Sequence, residues 1–444
     1  MGTCIQQELA DFISDCDMGK IGEHAVTDIK YRVLDWLGCA VVGRQYEQCA
    51  ISRDVFSRIG GVAEATMIGA EGLYPVPSAA MVNGIIGHVS EFDDGHRKAI
   101  GHPGSVTLPV ALALGEQLGV SGAAFLKSLI IGYDIFIRLG QAVNPSHYAY
   151  WHTTGTCGTF AATATAAALL KLTPEQTCNA LGIAATLAGG LVASFGVHAK
   201  ALNIGHACQS GVHAALLAQR GFTGSSQALA GDKGFLVATS DAKSLEIPRP
   251  TEETLLSDTA FYKVYASCGH TNSPLDAMFA ILRQHKLNPG GIRNIKVETY
   301  HVSVNLTGAL KARNETEAKF SLPYCIAVAI AGGQVTLAEF APEMLGNATI
   351  LDLAKKVSVV ESEEATRRFP KRQARVTVSL EDGRTYSEEV MDSTDVADYP
   401  ALERKFLANA SSADPGKSRE VLGFITGMEA SPDIVPLVHY LQSL

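Results

Sequence analysis

A short segment of the chain concentrates side chains that could carry acid–base chemistry. The sequence EFDDGH occupies positions 91–96, and GHPG follows at 101–104. Imidazole and carboxylate groups at this density serve either metal coordination or general acid–base catalysis. A metal site calls for a spacing such as HExxH or a facial triad, and this segment has neither, so we expect acid–base chemistry without a metal. The alternative is a solvated loop in which Asp93 or Asp94 caps a helix.

A second polar group, WHTTGTCG at positions 151–158, stands directly before an alanine-rich stretch. Hydroxyl groups and glycine at the start of a helix leave backbone N–H groups open to a carboxylate. A nucleotide phosphate is disfavoured, because the segment has no Walker lysine and no preceding strand. The alternatives are that Thr154 is an ordinary helix cap and that His152 is a hydrogen-bonded structural histidine.

Three further candidates stand in mostly apolar surroundings: Lys200 in HAKALNIGH, Lys263 in KVY and Tyr324 in EAKFSLPY. A lysine in such a context is either a surface side chain or a buried, functional amine. Tyr324 begins an apolar helix, where core packing with a bonded hydroxyl is the alternative. Cys268 has no activating partner in the sequence, so we interpret it as a structural thiol.

The elements that position these clusters change in character near residue 250. Apolar residues recur at helical spacing throughout the first half, and Thr173-Pro174-Glu175 is a favourable helix start. Positions 292–304 alternate as a strand does, and 375–390 predict a hairpin turned at Asp382-Gly383. The predicted helices are 26–43, 77–87, 106–118, 122–140, 154–170, 173–187, 209–220, 323–332 and 349–357, with more after Pro400.

These patterns predict a mainly α protein with an inserted α+β domain. We expect a helical domain at 1–257, an α+β domain at 258–396 and a helical return at 397–444. A chain of 444 residues exceeds what one core usually serves, which also favours two domains.

The composition of the chain indicates which kinds of partner the protein can bind and in which compartment it is expected. The net charge of −9 disfavours nucleic-acid binding, because phosphate backbones require a basic face. A long uncharged stretch, 176–198, contains polar residues and four glycines, so we expect no membrane span. Nine cysteines without CxxC pairs, and an N-terminus without an apolar signal core, predict a cytoplasmic protein with reduced thiols.

Taken in order, the clusters resemble the MmgE/PrpD family from about residue 10 to the C-terminus. The residues that carry the resemblance are EFDDGH and HPG, WHTTGTCG, AKALNIGHACQSGVHAALLAQRGFTG, KVYASC and EAKFSLPY. The resemblance implies a large all-helical domain, a smaller α+β lid domain, a homodimer and an active site between the domains. It also implies a small polycarboxylate substrate and no metal or cofactor. Family members include 2-methylcitrate dehydratase, cis-aconitate decarboxylase and iminodisuccinate epimerase.

Carried over position by position, the resemblance assigns catalytic roles to Asp93, His102, His152, Lys200 and Tyr324. All three reactions break a C–H or C–C bond beside a carboxylate, and the negative charge that develops needs cationic and hydrogen-bonding support. The residues expected to bind substrate are Glu91, His96, Thr154 and Lys263.

The sequence departs from the family pattern at several positions. Glu91 replaces the usual Asp, Gly95 the usual Thr and Asn203 the usual His, while Asn272 and Ser273 replace His-Pro. Loss of a hydroxyl and an imidazole removes groups that an elimination could use. We therefore expect epimerisation of an amino-dicarboxylate such as iminodisuccinate, followed in order of preference by a hydro-lyase and a cis-aconitate decarboxylase. A non-catalytic dimeric binding protein has no need for the full set of catalytic residues.

Overall fold

Helices fill the first part of the chain in the computed structural model, which describes residues 4–241, 247–393 and 399–444. Ser121 accepts a hydrogen bond from the Ala124 N–H, and Thr173 forms a capping box with Gln176, as the sequence predicts for these helix starts. The elements are α1 (Ile5–Asp15), α2 (Glu23–Gly43), α3 (Glu47–Ser57), β1 (Ala65–Thr66), β2 (Leu73–Tyr74), α4 (Val76–His88), α5 (Gly104–Leu118), α6 (Gly122–Val143), α7 (Thr153–Leu169), α8 (Pro174–Leu187), α9 (Ala199–Gln219) and α10 (Phe235–Thr239).

Helices α4, α5, α7 and α9 form the centre of this region, and glycine lets them approach closely. A Cβ at Gly205 of α9 would lie 2.6 Å from the Met81 carbonyl oxygen of α4. Threonine hydroxyls in the buried helix α7 donate hydrogen bonds to backbone carbonyl oxygens of the preceding turn. Thr159 donates to Gly155 at 2.9 Å, and Thr163 donates to Thr159 at 2.7 Å. These bonds satisfy the hydroxyls without water, so a polar sequence can form a core helix.

A mixed four-stranded sheet organises the second part of the chain. Its order is β4-β3-β5-β6, with β3 parallel to β4 and antiparallel to β5, and β5 antiparallel to β6. The elements are α11 (Asn272–Gln284), β3 (Ile292–Thr299), α12 (His301–Thr307), α13 (Glu315–Lys319), α14 (Leu322–Gly332), α15 (Pro342–Leu345), α16 (Ala348–Lys355), β4 (Val357–Glu361), α17 (Glu363–Arg368), β5 (Ala374–Leu380) and β6 (Thr385–Val390). The predicted hairpin is present, and Gly383 takes a positive φ of 89° in its turn.

Two sequence expectations in this region are wrong. The predicted strand 292–304 ends at Thr299, because Thr299 pairs with Glu361 and Ala374, the terminal residues of the neighbouring strands. The chain beyond it has no partner strand and forms α12. The helix expected to reach Val357 stops at Lys355, and Val357 begins β4.

The chain returns to helices in α18 (Tyr399–Asn409), α19 (Pro415–Thr426) and α20 (Val435–Gln442). Helices α18 and α19 pack against α2, so both ends of the chain belong to one unit. That unit comprises Met1–Tyr262 and Ala397–Leu444, and the second comprises Lys263–Val396. The first predicted boundary, at 257, precedes the observed one at Tyr262, and the boundary predicted at 396/397 lies outside the described residues.

The mainly helical fold with a mixed α+β second unit agrees with the fold class expected from the sequence. Among the residues that the structure describes, no helix is both long and apolar enough to cross a bilayer.

Candidate active site

The predicted acid–base segment forms the buried loop between α4 and α5. Asp94 fixes this loop to the surrounding helices: it accepts hydrogen bonds from Arg32 of α2 at 3.0 Å and from Tyr133 of α6 at 2.8 Å. The backbone N–H of Gly104 donates to its other oxygen at 3.2 Å. Arg32 also forms a bidentate pair with Asp28 at 2.6 and 3.2 Å. Asp94 therefore holds the loop through a network of buried, charge-assisted bonds.

A hydrogen-bonded chain runs from Lys200 through His88 to Asp93. The Nζ atom of Lys200 lies 3.0 Å from Nε2 of His88, and Nδ1 of His88 lies 2.9 Å from Oδ2 of Asp93. A lysine ammonium only donates and an ionised carboxylate only accepts, so His88 carries its proton on Nδ1 and is neutral. Burial and the nearby Lys200 charge lower the pKa of His88, although Asp93 and Glu91 oppose them.

Lys200 is a buried cation at the first turn of α9, with 5% of its surface exposed. The positive end of a helix dipole disfavours a cation at this point, and burial disfavours it further. The carboxylate of Glu91, in direct contact with Nζ, offsets both effects. Glu91 makes this contact from a left-handed backbone with φ of 57°, a conformation that residues other than glycine seldom adopt.

One carboxylate oxygen of Asp93, Oδ2, contacts the imidazole rings of both His88 and His102. Besides the bond to His88, Oδ2 accepts from the Ser105 hydroxyl at 2.5 Å and lies 3.3 Å from Nδ1 of His102. Burial alone would raise the pKa of Asp93, but His88 and His102 together hold it well below its usual range. The lowered pKa favours the ionised carboxylate, which can stabilise an imidazolium at His102.

The environment of His102 fixes its tautomer. Nδ1 lies 2.6 Å from the backbone carbonyl oxygen of Asp94. A carbonyl oxygen only accepts, so Nδ1 carries a proton and the neutral ring presents a lone pair on Nε2. The side chain is 17% exposed, compared with 1% for His88. His102 is therefore the imidazole of this cluster that can exchange a proton with a bound molecule.

His152 lies at the start of α7 and is 2% exposed. Burial, reinforced by Lys200 and the two other imidazoles, lowers its pKa well below the ordinary value, so the ring is neutral. Its ring centroid lies 6.3 Å from that of His88 and 4.9 Å from that of Phe195. A neutral imidazole in this position can donate a hydrogen bond but is a poor proton donor.

Two residues expected to bind substrate have partners within the loop region. The ring nitrogens of His96 lie 2.9 Å from the Ala99 backbone N–H and 3.2 Å from the Thr259 hydroxyl. The Thr154 hydroxyl accepts from the His102 backbone N–H at 3.3 Å. These contacts give both side chains a role in holding the loop, and their contact with substrate stays a prediction.

Lys263 and Tyr324 belong to the second unit, where both are buried. The Tyr324 hydroxyl donates to the Glu339 carbonyl oxygen at 3.0 Å, and burial raises the pKa of Tyr324 to about 12. A role for Tyr324 as a proton donor would require this bond to break. The roles of both residues stay predictions.

His88 is the member of this cluster that the sequence interpretation missed. It is the last residue of the apolar helix α4, and a single histidine in that position usually has only a structural role. The available signal was its spacing, because His88 precedes Glu91 by one helical turn and Asp93 by five residues.

His88, Asp93 and His102 are also the group whose ligand atoms could hold a metal, since those atoms lie within 4.8 Å of one another. The hydrogen bonds, however, place protons on Nδ1 of both rings, and a metal would have to displace them.

Profiles of one protein family match both parts of the chain. The profile of the MmgE/PrpD N-terminal domain matches residues 7–248, and that of the MmgE/PrpD C-terminal domain matches residues 265–423. The chain belongs to the MmgE/PrpD family.

Several MmgE/PrpD relatives match almost the whole chain. A cis-aconitate decarboxylase of Aspergillus terreus is 28% identical over 99% of this chain and 96% of the relative. The human cis-aconitate decarboxylase is 27% identical over 92% of this chain and 88% of its own length. A mitochondrial 2-methylcitrate dehydratase of Yarrowia lipolytica is 23% identical over 90% of this chain and 80% of its own length. These named relatives are lyases, and the preference for an epimerase has no support among them.

Proposed function

We propose that the protein is a lyase that decarboxylates a small unsaturated tricarboxylic acid of the cis-aconitate type. The observation that carries this proposal is the division of roles among the imidazoles of the first unit. His102 has an exchangeable Nε2 position backed by Asp93, whereas His152 is held neutral by burial and His88 is bonded on both nitrogens. Among the described residues of that unit, this favours a reaction that needs one acid–base imidazole.

Loss of CO2 from a β,γ-unsaturated carboxylate meets that requirement. The electron pair of the breaking C–C bond becomes a new α,β double bond, and the former double bond takes a proton at the γ carbon. Protonated His102 delivers this proton from Nε2, and the ring then takes up one proton from solvent. A trianion and one proton thus give CO2 and a dianionic 2-methylene acid, while Lys200 balances the charge of the carboxylates that remain.

The competing reactions place greater demands on the site. Elimination of water needs a base for the C–H bond and an acid for the departing hydroxide, and epimerisation needs two acid–base groups on opposite faces. Lys200 is in direct contact with the Glu91 carboxylate, and His152 has a strongly lowered pKa. Both residues are therefore better suited to binding anions than to transferring protons.

The residues that favoured epimerisation have structural explanations. A Cβ at Gly95 would lie 2.9 Å from Cζ of Phe261, so a larger residue at this position requires the Phe261 ring to shift. The amide of Asn203 contacts His152 at 3.2 Å and is part of the site. Neither difference from the family pattern therefore argues against a lyase.

The proposal is tested by incubating the protein with cis-aconitate in D2O and following the products by NMR. We expect CO2 and a 2-methylene dicarboxylate with one deuterium in its saturated methylene group. Parallel reactions with 2-methylcitrate and iminodisuccinate test the alternatives. Water loss from the first, or deuterium exchange with inversion in the second, would overturn the proposal if cis-aconitate were left unchanged. Light scattering on the same sample tests the homodimer that the family resemblance implies.

A further inference from the structure

Asn203 links His152 to the segment that precedes α9. It lies one turn after Lys200 in α9, and its Nδ2 atom is 3.2 Å from Nδ1 of His152 and 2.9 Å from the Ser194 hydroxyl oxygen. Gly190, with φ of 129°, packs against the amide, so that a Cβ at Gly190 would lie 3.3 Å from Cγ of Asn203. The amide is therefore enclosed by backbone and has little freedom to move.

The hydrogen bonds of Ser194 decide which end of this amide faces His152. The Ser194 hydroxyl donates its only proton to the Leu191 carbonyl oxygen at 2.6 Å. Its oxygen must then accept from Asn203, which requires the amide nitrogen rather than the amide oxygen on that side. The same nitrogen faces Nδ1 of His152. Because an amide nitrogen only donates, Nδ1 of His152 holds a lone pair.

We propose that Asn203 is a positioning residue that holds His152 in the tautomer with its proton on Nε2. In this form the ring offers an N–H group to an anionic group of the substrate. The other tautomer would offer a lone pair and repel a carboxylate. The assignment of a carboxylate as the ligand rests on the proposed function, but the tautomer rests on the contacts of Asn203 and Ser194 alone.

The Nε2 atoms of His102 and His152 then have complementary roles. The Asp94 carbonyl leaves His102 with a lone pair on Nε2, whereas Asn203 leaves His152 with a proton on Nε2. One imidazole can exchange a proton, and the other can bind charge. Asn203 stands at a position that histidine usually occupies in the family. Because an amide does not titrate, a change of pH does not alter the hydrogen bond by which Asn203 sets the tautomer of His152.

The test is ¹⁵N NMR of the full chain labelled at histidine, recorded without substrate. His152 is assigned by the signals that disappear in His152→Gln. We expect the wild-type protein to show a protonated Nε2 and an unprotonated Nδ1 at His152. In Asn203→Asp the carboxylate only accepts, so the proton should move to Nδ1 and the two nitrogen signals should exchange character. Asn179→Asp, which adds the same charge in α8, should leave His152 unchanged.

Ser194→Ala provides a second, milder variant. Without the hydroxyl acceptor, either end of the Asn203 amide can face His152, and both tautomers should be populated. A wild-type spectrum with the proton on Nδ1 would overturn the proposal, whether or not any variant folds. An unchanged His152 signal in Asn203→Asp would also overturn it. Because substrate is absent, these results do not depend on which acid the enzyme consumes, whereas the product assay tests the reaction without reference to the tautomer.

Discussion

Lys200 and His88, from two different helices, share a hydrogen bond of 3.0 Å inside the first unit. The contact couples a buried cation to a neutral imidazole, and Glu91 and Asp93 supply the balancing negative charge on either side. The cluster is therefore a set of mutually dependent charges, and removing one member should affect both stability and activity.

Lys200→Met tests that dependence. The substitution removes the lysine from its buried ion pair with Glu91, and breaking such a pair costs about 3–5 kcal/mol of unfolding free energy. It also removes the cation at the site, so activity should fall by orders of magnitude. Urea unfolding and turnover on the same preparations measure the two effects. The double variant with Glu91→Gln should recover most of the stability and none of the activity. Near-normal turnover in Lys200→Met would remove Lys200 from the mechanism.

His147 provides a prediction for pH. Burial lowers the pKa of His147 from 6.5 to about 4, so the unfolded chain binds a proton that the folded protein does not between these values. Stability contributed by the neutral ring is present above pH 6.5 and is lost as the pH falls towards 4. The loss amounts to about 3 kcal/mol, at about 1.4 kcal/mol per pKa unit.

The check is unfolding free energy as a function of pH in wild-type protein and in His147→Gln. The variant lacks the titrating ring, so its stability should decline less steeply between pH 6.5 and 4. His213→Gln is a comparison at a second histidine, because burial also lowers the pKa of His213. Parallel slopes in His147→Gln and wild type would contradict the prediction.

Metal independence is expected from the proton positions at His88 and His102. Prolonged dialysis against a strong chelator should leave turnover unchanged, and elemental analysis should find less than stoichiometric zinc or iron. If chelation abolished activity and one divalent ion restored it, the group formed by His88, Asp93 and His102 would have to be interpreted as a coordination site.

Gly95→Thr restores the residue that is usual in the family. Its Cβ would lie 2.9 Å from the Phe261 ring, and such overpacking costs about 1–3 kcal/mol of unfolding free energy. Phe261→Leu in the same chain should recover part of that loss by shortening the opposing side chain. Thermal unfolding of the single and double variants measures the effect. A Gly95→Thr protein as stable as wild type would show that the Phe261 ring can move aside without cost.

The sequence predicts those parts of the fold that depend on local signals. Ser121 and Thr173 mark helix starts, and Asp382-Gly383 marks the hairpin, because each acts through hydrogen bonds or backbone angles within a few residues. Strand β4 was missed because its partner β3 lies more than sixty residues away in the sequence. The three valines of the segment 357–361 favour a strand and were the local signal available.

The residues of the candidate site also divide into those with a local sequence signal and those whose role depends on distant residues. Asp93, His102, His152 and Lys200 could be selected from their motifs, but His88 could not, because its role comes from contacts with α9 and the following loop. The roles of Gly95 and Asn203 depend on Phe261, Ser194 and Leu191, which are separated from them in sequence. The presence of Gly95 and Asn203 in place of threonine and histidine was therefore interpreted as favouring epimerisation, while the structure gives each a packing or hydrogen-bonding reason.

The left-handed backbone at Glu91 limits how this position can change during evolution. Aspartate and asparagine tolerate this conformation better than most residues, and glycine tolerates it best, whereas β-branched side chains do not. Aspartate, usual in the family, keeps the charge but has a reach to Lys200 that is shorter by one methylene group. An aspartate at this position can therefore keep the backbone conformation and the charge. Lys200 would then have to extend further, by the length of one methylene group, to keep the ion pair.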